Sequence, residues 1–457
     1  MAEHNVTLES TIMALLEEKK YSTLKDMLVT MNGADIAAVL EEIDEEKTPL
    51  LFRLLPKELA AITFVEMNTD LQELLIKGFS DRELREVVDE LYVDDAVDLV
   101  EEMPANVVKR ILAQADPQMR KEINEILQYP EDSAGSIMTT EYISLRPQMT
   151  VDEAIARIRR TAVDKETIYT CYVTENRKLL GYLTLKTLLL VKDDSRISDV
   201  MDKNVISVHT NDDKEDIAQL LSKYNFLALP VLDSDDRMVG IVTFDDAMDV
   251  IEEEATEDIE RMAAMLPSEK EYLRAKPFDL YKQRIPWLML LMVSATFTGM
   301  IITGFENALA AQVVLTAFIP MLMDTGGNSG SQSSVTVIRA LSLGELEFRD
   351  LPKVIWKEIR TAVLCGISLA IVCFVKILLI DRLLLGNTEI TIAIDAVVCA
   401  SMALTILVAK IIGCTLPMIA YKLKFDPAVM SSPFITTIVD ALSLLVYFAL
   451  ANAFLLS

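Results

Sequence analysis

One aspartate, Asp440, lies inside an otherwise uncharged stretch of membrane-spanning length, SSPFITTIVDALSLLVYFALANAF, from residue 431 to residue 454. A carboxylate in hydrocarbon costs at least ~2.5 kcal/mol, so such residues usually face a helix-bundle interior or a water-filled path. The polar residues that share its side of a helix are Ser432, Thr436, Thr437, Ser443 and Tyr447. This pattern predicts a polar lumen beside Asp440. A structural ion pair with Lys410 of the preceding apolar segment is the alternative.

A second polar face occurs in the stretch IPMLMDTGGNSGSQSS, which begins at residue 319. Its members recur every four residues and are Pro320, Asp324, Asn328 and Gln332. Three glycines, Gly326, Gly327 and Gly330, lie between them. The glycines can serve close helix packing. Alternatively, they can loosen the helix so that its carbonyl groups line a water-filled path.

The charge of the chain divides it into an acidic half, before about residue 275, and an apolar half after it. The net charge of −27 argues against nucleic acid as a partner and favours cations. With only two histidines and no CxxC pair among five cysteines, a bound metal would meet mostly oxygen ligands. Such ligands suit Mg²⁺, Ca²⁺ or Mn²⁺.

Two groups of carboxylates in the acidic half have few basic neighbours. The first comprises Asp94, Asp95 and Asp98. The second follows a helical spacing and comprises Asp246, Asp249, Glu253, Glu257 and Glu260. A solvated helix face is the simplest interpretation of such a run. Two acidic surfaces can approach each other only with cations between them, however, so the pair also suits a cation sensor.

The first 130 residues are helical and contain a repeat, because VLEEIDEEKTPLLFRLLP from Val39 recurs as VVDELYVDDAVDLVEEMP from Val87. The prolines that close the two copies, Pro56 and Pro104, correspond. Stacked repeats of this length bury each other's apolar faces, which predicts an α-helical superhelix over residues 1–130.

Residues 131–248 alternate short β-rich runs with helical stretches, which predicts an α+β region. The region is also duplicated, since IMTTEYISL matches VMDKNVISV and LLGYLTLKTLL matches MVGIVTFDDAM. The halves resemble a tandem pair of CBS modules, a family that often binds adenine nucleotides. The ribose-binding pattern of that family is present as Gly240, Thr243 and Asp246, but Thr187 replaces the acid in the first module. The resemblance implies one nucleotide site, with Thr243 and Asp246, and ATP as the candidate ligand. A dimerising scaffold without nucleotide is the alternative.

An acidic connecting helix over residues 249–275 leads to a transmembrane domain over residues 276–457. Five apolar segments are predicted in this all-α domain, namely residues 287–305, 308–338, 361–380, 390–420 and 433–456. Basic residues gather before the first segment, between the second and third, and between the fourth and fifth. This distribution predicts a multi-pass protein of the cell membrane with a cytoplasmic N-terminal half and an external C-terminus.

The whole chain resembles the MgtE family of magnesium channels or transporters, through the strings YPEDSAGSIMT, GIVTFDDAMDVIEEEATEDI, GGNSGSQ and DPAVMSSPFITTIVD. The resemblance implies a homodimer whose pore is lined by the second and fifth spans, with Asp440 holding a hydrated Mg²⁺. Residues at or near the implied pore are Asp324, Gly327, Asn328, Gly330 and Ser432. The implied sensor residues for cytosolic Mg²⁺ are Asp94, Asp98, Asp246, Asp249, Glu254, Glu257 and Asp258. One departure is Asn225, where the family has an acid.

The sequence therefore predicts a magnesium channel or transporter in the lipid bilayer that cytosolic Mg²⁺ closes. One alternative is a CBS-regulated membrane signalling protein without transport, which would need neither Asp440 nor two aligned polar faces. Others are a transporter of several divalent cations and an ion-coupled transporter of small anions. No nucleophile–base set or phosphate-binding glycine loop suggests an enzyme.

Overall fold

The computed structural model describes residues 2–268, 272, 275–387, 389–430 and 432–455. Within these, the side chains of residues 2–7, 9, 164, 307, 308 and 432 are not described. The chain forms two compact units, one that ends at Ile251 and one that begins at Glu252.

Ten short helices open the first unit. They are α1 (Ala2–Glu17), α2 (Tyr21–Leu28), α3 (Gly33–Glu42), α4 (Thr48–Phe52), α5 (Lys57–Val65), α6 (Thr69–Gly78), α7 (Asp81–Val88), α8 (Val93–Glu102), α9 (Ala105–Gln114) and α10 (Pro117–Ile126). The repeat prolines lie at the helix N-caps, because Pro56 precedes α5 and Pro104 precedes α9. A proline there ends the preceding helix and costs the next one no hydrogen bond. Stacked apolar faces form one continuous core, which confirms the helical N-terminal domain.

Two three-stranded sheets follow. Their strands are β1 (Ile143–Leu145), β2 (Thr170–Glu175), β3 (Lys178–Thr184), β4 (Val208–His209), β5 (Ala228–Leu232) and β6 (Met238–Thr243). Four helices accompany the strands, α11 (Val151–Thr161), α12 (Leu185–Leu190), α13 (Ile197–Val200) and α14 (Lys214–Tyr224). In each sheet the first pair is parallel and the second antiparallel. The two modules contain equivalent bridges, Thr139 with Ile241 and Tyr182 with Asp202. The predicted α+β duplication is confirmed.

Helix α15 (Phe244–Met262) begins directly after β6 and runs for 19 residues. The predicted connecting helix is therefore the continuation of the last helix of the second CBS module. Residues 269–271, 273 and 274 of the predicted connecting region lie outside the described residues.

The second unit contains the remaining helices, α16 (Pro277–Gly304), α17 (Glu306–Ala311), α18 (Ile319–Ser342), α19 (Leu351–Lys376), α20 (Ile392–Lys422) and α21 (Ser432–Leu455). Among the described residues, four helical segments are long and apolar enough to cross a membrane: Pro277–Gly304, Phe348–Leu384, Ile392–Lys422 and Pro433–Leu455. The remaining predicted segment, residues 308–338, contains most of α18, whose 24 residues span about 36 Å. It packs against α20 and α21, and its polar residues keep its hydropathy low.

Helices α18 and α20 cross with their backbones in contact. A Cβ atom added at Gly413 would overlap the carbonyl oxygen of Gly330. Small residues at such a crossing allow backbones to approach closely in a membrane. Of the two alternatives for the glycines, close packing applies to Gly330, because α18 is one continuous helix and is not loosened there.

We expect Gly413→Ala to destabilise the protein by roughly 1–3 kcal/mol, because the new methyl group meets rigid backbone. Gly299→Ala is the matched control, since nothing lies within 4 Å of a Cβ added in α16. Removing that helical glycine should be neutral or stabilising by up to about 1 kcal/mol. Thermal denaturation of the protein in detergent measures both effects. A Gly413→Ala midpoint at or above the wild-type value would contradict the crossing.

Candidate ion path and acidic cluster

A stripe of polar side chains on α18 is exposed in the single chain. The stripe, with a spacing of four residues, consists of Asp324, Asn328, Gln332 and Thr336. The Asn328 side-chain amide donates a hydrogen bond of 3.1 Å to Asp324 Oδ1. Polar groups of this kind are costly against lipid. The stripe therefore requires either water or another protein surface beside it.

Asp440, in the third turn of α21, lies beside this stripe. A Cβ atom added at Gly327 would lie 3.0 Å from Thr436 Cγ2 and 3.7 Å from Asp440 Oδ1. Asp324 is also close enough for its charge to act on the Asp440 carboxylate. The structure thus brings together Asp324, Gly327, Asn328 and Asp440.

Two predicted pore residues stand apart from this group. An added Cβ atom at Gly330 would contact Ile435 and Val439, so Gly330 faces the packed side of α18. Ser432 begins α21, but its side chain lies outside the described residues.

Lys410 is not the partner of Asp440. Its ammonium group donates a hydrogen bond of 3.2 Å to Ser333 Oγ and lies 3.8 Å from Glu358 Oε2. Asp440 has no hydrogen bond or ion pair within the part of the chain that the structure describes. The alternative interpretation of Asp440 as half of a buried ion pair with Lys410 is therefore wrong.

In the first unit, carboxylates from three elements converge in what we call the acidic cluster. Helix α8 contributes Asp94, Asp95 and Asp98, the loop before β2 contributes Glu166, and the first turn of α15 contributes Asp245 and Asp246. Asp94 is only 7% exposed. Ion pairs to a basic side chain are absent from the cluster within the described residues.

Crowding and burial raise the pKa values of these acids. Desolvation, followed by the charge of Asp246, raises the pKa of Asp94 well above its ordinary value. Desolvation and the neighbouring charges, above all Asp246, raise the pKa of Asp95 to about 6 and that of Asp98 to about 7. The pKa of Glu166 rises to about 8, through desolvation and then the charges of Asp245 and Asp246. Each shift records a free-energy cost of ionising the group in this arrangement.

Sequence reasoning missed two cluster members, Asp245, which directly precedes Asp246, and Glu166, which is distant from both acidic groups in the sequence. Glu166 was the harder one to find. In the stretch TAVDKETIYT its only acidic neighbour is Asp164, with Lys165 between them, so no run or helical spacing of acids gave a signal. Its Oε2 atom is buried without a hydrogen-bond partner among the described residues. No three His, Cys, Asp or Glu side chains in the described ranges are arranged to hold one metal ion directly. A cation at the cluster would therefore be held partly through water, as Mg²⁺ commonly is.

The predicted sensor residues on the later part of α15 do not join this cluster. Glu257 forms an ion pair with Arg261, which also pairs with Asp426 in the turn before α21. Asp258 accepts a hydrogen bond of 2.9 Å from Ser342 Oγ at the end of α18. Desolvation is the main cause that raises the pKa of Asp258. Glu257 is therefore one carboxylate of the stripe that does have a basic partner.

Two other predicted sensor residues, Asp249 and Glu254, also lie on α15. Asp249 is exposed, and Glu254 is half-buried. The charge of Asp249 acts on Asp246, so Asp249 lies at the edge of the acidic cluster.

The ribose-binding pattern has a local structural role. Asp246 Oδ2 accepts hydrogen bonds from the Thr243 hydroxyl group at 2.6 Å and from the Thr243 backbone N–H at 3.3 Å. Phosphate groups near this position would meet the acidic cluster, so charge opposes a nucleotide there unless a cation accompanies it. Asn225, the departure from the family, caps α14 in the left-handed conformation (φ 54°), which asparagine tolerates well.

Comparisons with known proteins cover almost the whole chain. The MgtE family, described as divalent cation transporters, matches residues 319–450. The MgtE intracellular N domain matches residues 31–132, and the CBS domain matches residues 134–193 and 197–253.

Two relatives are similar over their full length. A magnesium transporter MgtE from Thermus thermophilus is 34% identical over 453 residues, which cover 98% of both chains. One from Bacillus subtilis is 33% identical over 446 residues, which cover 97% of this chain and 96% of the relative.

Two solved structures resemble the first half. One is the cytosolic domain of the Mg²⁺ channel MgtE in complex with ATP, with a TM-score of 0.51 and 34% identity over 53% of this chain and 99% of that chain. The other is the soluble part of a magnesium transporter, with a TM-score of 0.51 and 31% identity over 55% of this chain and 99% of that chain.

We expect the packing of α8 against the CBS pair to weaken as pH rises when Mg²⁺ is absent. The carboxyl groups of the cluster have higher pKa values in the packed state than in the separated state. They therefore stabilise the packing fully below their ordinary pKa of about 4, and this stabilisation is lost as the pH rises through the interval from about 6 to about 8. Hydrogen exchange of α8 amides in the full chain, corrected for intrinsic rates, should show at least about tenfold less protection at pH 8.5 than at pH 5.5. Glu166→Gln should reduce this difference, and pH-independent protection in the wild type would refute the cluster's role.

Proposed function

The chain belongs to the MgtE family of divalent cation transporters, and on that premise we propose that it carries Mg²⁺ into the cell along a path beside Asp440. The observation that carries the proposal is the exposed polar stripe of α18 next to that carboxylate. Mg²⁺ releases water reluctantly and typically binds through one or two carboxylates with several waters retained. A site with Asp440, the nearby Asp324 and the amide of Asn328 suits such a partly hydrated ion.

The path lies between two copies of the chain in this proposal. The stripe is exposed in one copy although it belongs to a helix long enough to cross a membrane. A symmetric pair of copies would place the two stripes face to face across a hydrated gap. The two copies would contribute two Asp440 carboxylates, enough to balance the charge of one Mg²⁺. In this proposal the first unit is cytoplasmic and the C-terminus is outside, which the basic residues of the connections support.

Cytosolic Mg²⁺ closes the path in this proposal through the acidic cluster. Without the ion, the carboxylates of α8, Glu166 and α15 repel one another, as their raised pKa values indicate. Divalent ions between them would compensate the charge and hold the elements together. Helix α15 continues from this cluster to Arg261, whose ion pair with Asp426 joins it to the turn before α21. The later acids, Glu254, Glu257 and Asp258, would take part at that end.

ATP is the candidate nucleotide for the CBS pair, since the related cytosolic domain binds it. At Thr243 and Asp246, the acidic surroundings favour the magnesium complex of the nucleotide over the free anion.

We expect Asp440→Ala to abolish Mg²⁺ uptake into proteoliposomes, and Asp440→Asn to reduce it by at least about tenfold, because an amide cannot attract a hydrated dication. Asp395→Asn is the matched control. Asp395 is a second aspartate in the membrane helices, 1% exposed on α20, and belongs to neither polar face. Its variant should retain uptake.

Wild-type uptake by a folded Asp440 variant would eliminate Asp440 as the ion site. Repeating the assay with Mn²⁺, Co²⁺ and Ca²⁺ tests whether the path is selective or serves several divalent cations. A membrane signalling protein without transport would give no flux of any of them.

We also expect millimolar Mg²⁺ to slow proteolysis of the connection between α10 and β1 by at least about tenfold. KCl of matched ionic strength should protect much less, because monovalent ions screen carboxylates but do not bridge them. In Asp94→Asn/Asp246→Asn, the rates with and without Mg²⁺ should become nearly equal. The matched control is Asp81→Asn/Asp233→Asn, outside the cluster, which should respond as the wild type does. Equal protection by KCl and MgCl₂ in the wild type would argue against a Mg²⁺ sensor.

A further inference from the structure

A buried charged triad joins three helices of the second unit, Ser333 of α18, Glu358 of α19 and Lys410 of α20. Ser333 Oγ donates a hydrogen bond of 2.6 Å to Glu358 Oε2, and Lys410 Nζ donates one of 3.2 Å to Ser333 Oγ. The charged atoms of Lys410 and Glu358 lie 3.8 Å apart, and their side chains are 6% and 15% exposed. A lysine this deeply enclosed does not extend to the membrane surface.

Stability alone is a weak reason for such a triad. The cost of removing two charges from water often exceeds their mutual attraction, and a well-packed apolar pair is frequently as stable. Buried ionic groups do fix how elements align, because a misaligned arrangement leaves a charge without its partner. The question is which alignment this triad fixes.

The neighbouring contact between α18 and α20 leaves one motion weakly restrained. Gly330 and Gly413 touch one turn away from Ser333 and Lys410, respectively. A glycine surface has no side chains that interlock, so it permits close approach but gives little resistance to rotation about the helix axis. The triad supplies a directional bond at this position.

Rotation of α18 matters because the first two residues of the polar stripe, Asp324 and Asn328, lie on its opposite side. At 100° per residue, Ser333 lies about 180° from Asp324 and about 140° from Asn328 around the helix. A bond that holds Ser333 toward Glu358 and Lys410 therefore holds Asp324 and Asn328 toward the Asp440 side. The adjacent Ser334 donates a hydrogen bond of 3.3 Å to the Met430 carbonyl, which ties α18 to the turn before α21.

We propose that Glu358 and Lys410 are positioning residues for ion transport, and that with Ser333 they set the rotation of α18 and so the direction in which Asp324 and Asn328 face Asp440. This inference depends on the proposed Mg²⁺ path. It assigns no contact between the triad and the ion.

The test uses Ser333→Ala, which removes the link to α18 and leaves the two charges near each other. We expect the full-length variant to fold and to take up Mg²⁺ in proteoliposomes with a KM raised at least about fivefold and weaker discrimination against Ca²⁺. Ser401→Ala is the matched control, since Ser401 is also buried but donates only to the Val397 carbonyl within α20. It should retain the wild-type KM.

A second variant, Glu358→Gln/Lys410→Met, removes both charges together. Because neither charge remains unpaired, it should fold, whereas each single substitution should lower the yield of folded protein. We expect the double variant to show the same raised KM and weaker discrimination.

Wild-type KM and discrimination in folded Ser333→Ala would overturn the proposal, and the same result in a folded double variant would overturn it independently. If the double variant does not fold, Ser333→Ala decides alone. Absence of Mg²⁺ uptake by the wild-type protein would instead reject the transport function itself.

Discussion

The structure depends on the electrostatic cost of carboxylates that are partly removed from water and lie away from basic side chains. In the first unit, Asp94, Glu166 and Asp246 crowd together without an ion pair among the described residues, and their raised pKa values reflect that cost. In the second unit, Asp440 lies among helices of membrane-spanning length with the same lack of compensation. Both arrangements are costly for the protein alone, and in the proposed function a divalent cation would supply the missing charge. The proposed cargo and the proposed regulator are therefore the same ion for the same electrostatic reason.

Charged side chains that pair with an opposite charge within the protein have a different role. Lys410 is satisfied by Glu358 and Ser333, and Arg261 by Glu257 and Asp426. These groups need no ion from solution, and they connect helices instead. In these two groups, charge that the protein compensates itself belongs to the framework.

Much of the fold and of the candidate ion path could be predicted from the sequence, because the spacing of polar and apolar residues shows which of them share one face of a helix. The spacing of four residues from Asp324 to Gln332 predicts the polar stripe of α18. The duplicated strings predict the two CBS modules. Contacts between segments that are distant in the sequence could not be predicted in this way. Glu166 carries no local pattern, and only the approach of α8 and α15 makes it notable. Lys410 has two acidic candidates for a partner, and sequence spacing cannot choose between them. The glycines of α18 were ambiguous because close packing and helix loosening use the same residue.

The exposed stripe also has a consequence for biogenesis. A newly inserted single copy would present a carboxylate, two amides and a hydroxyl group to the acyl chains, although its other helices are apolar enough to lie there without cost. Such a copy differs from an assembled one by the polar surface that it exposes to lipid, and a membrane protease or chaperone could recognise it by that surface. If the ion path forms between two copies, the feature that would hydrate the ion would also expose a solitary chain to removal, and the amount of mature protein would then depend on the encounter rate of new copies as well as on their synthesis.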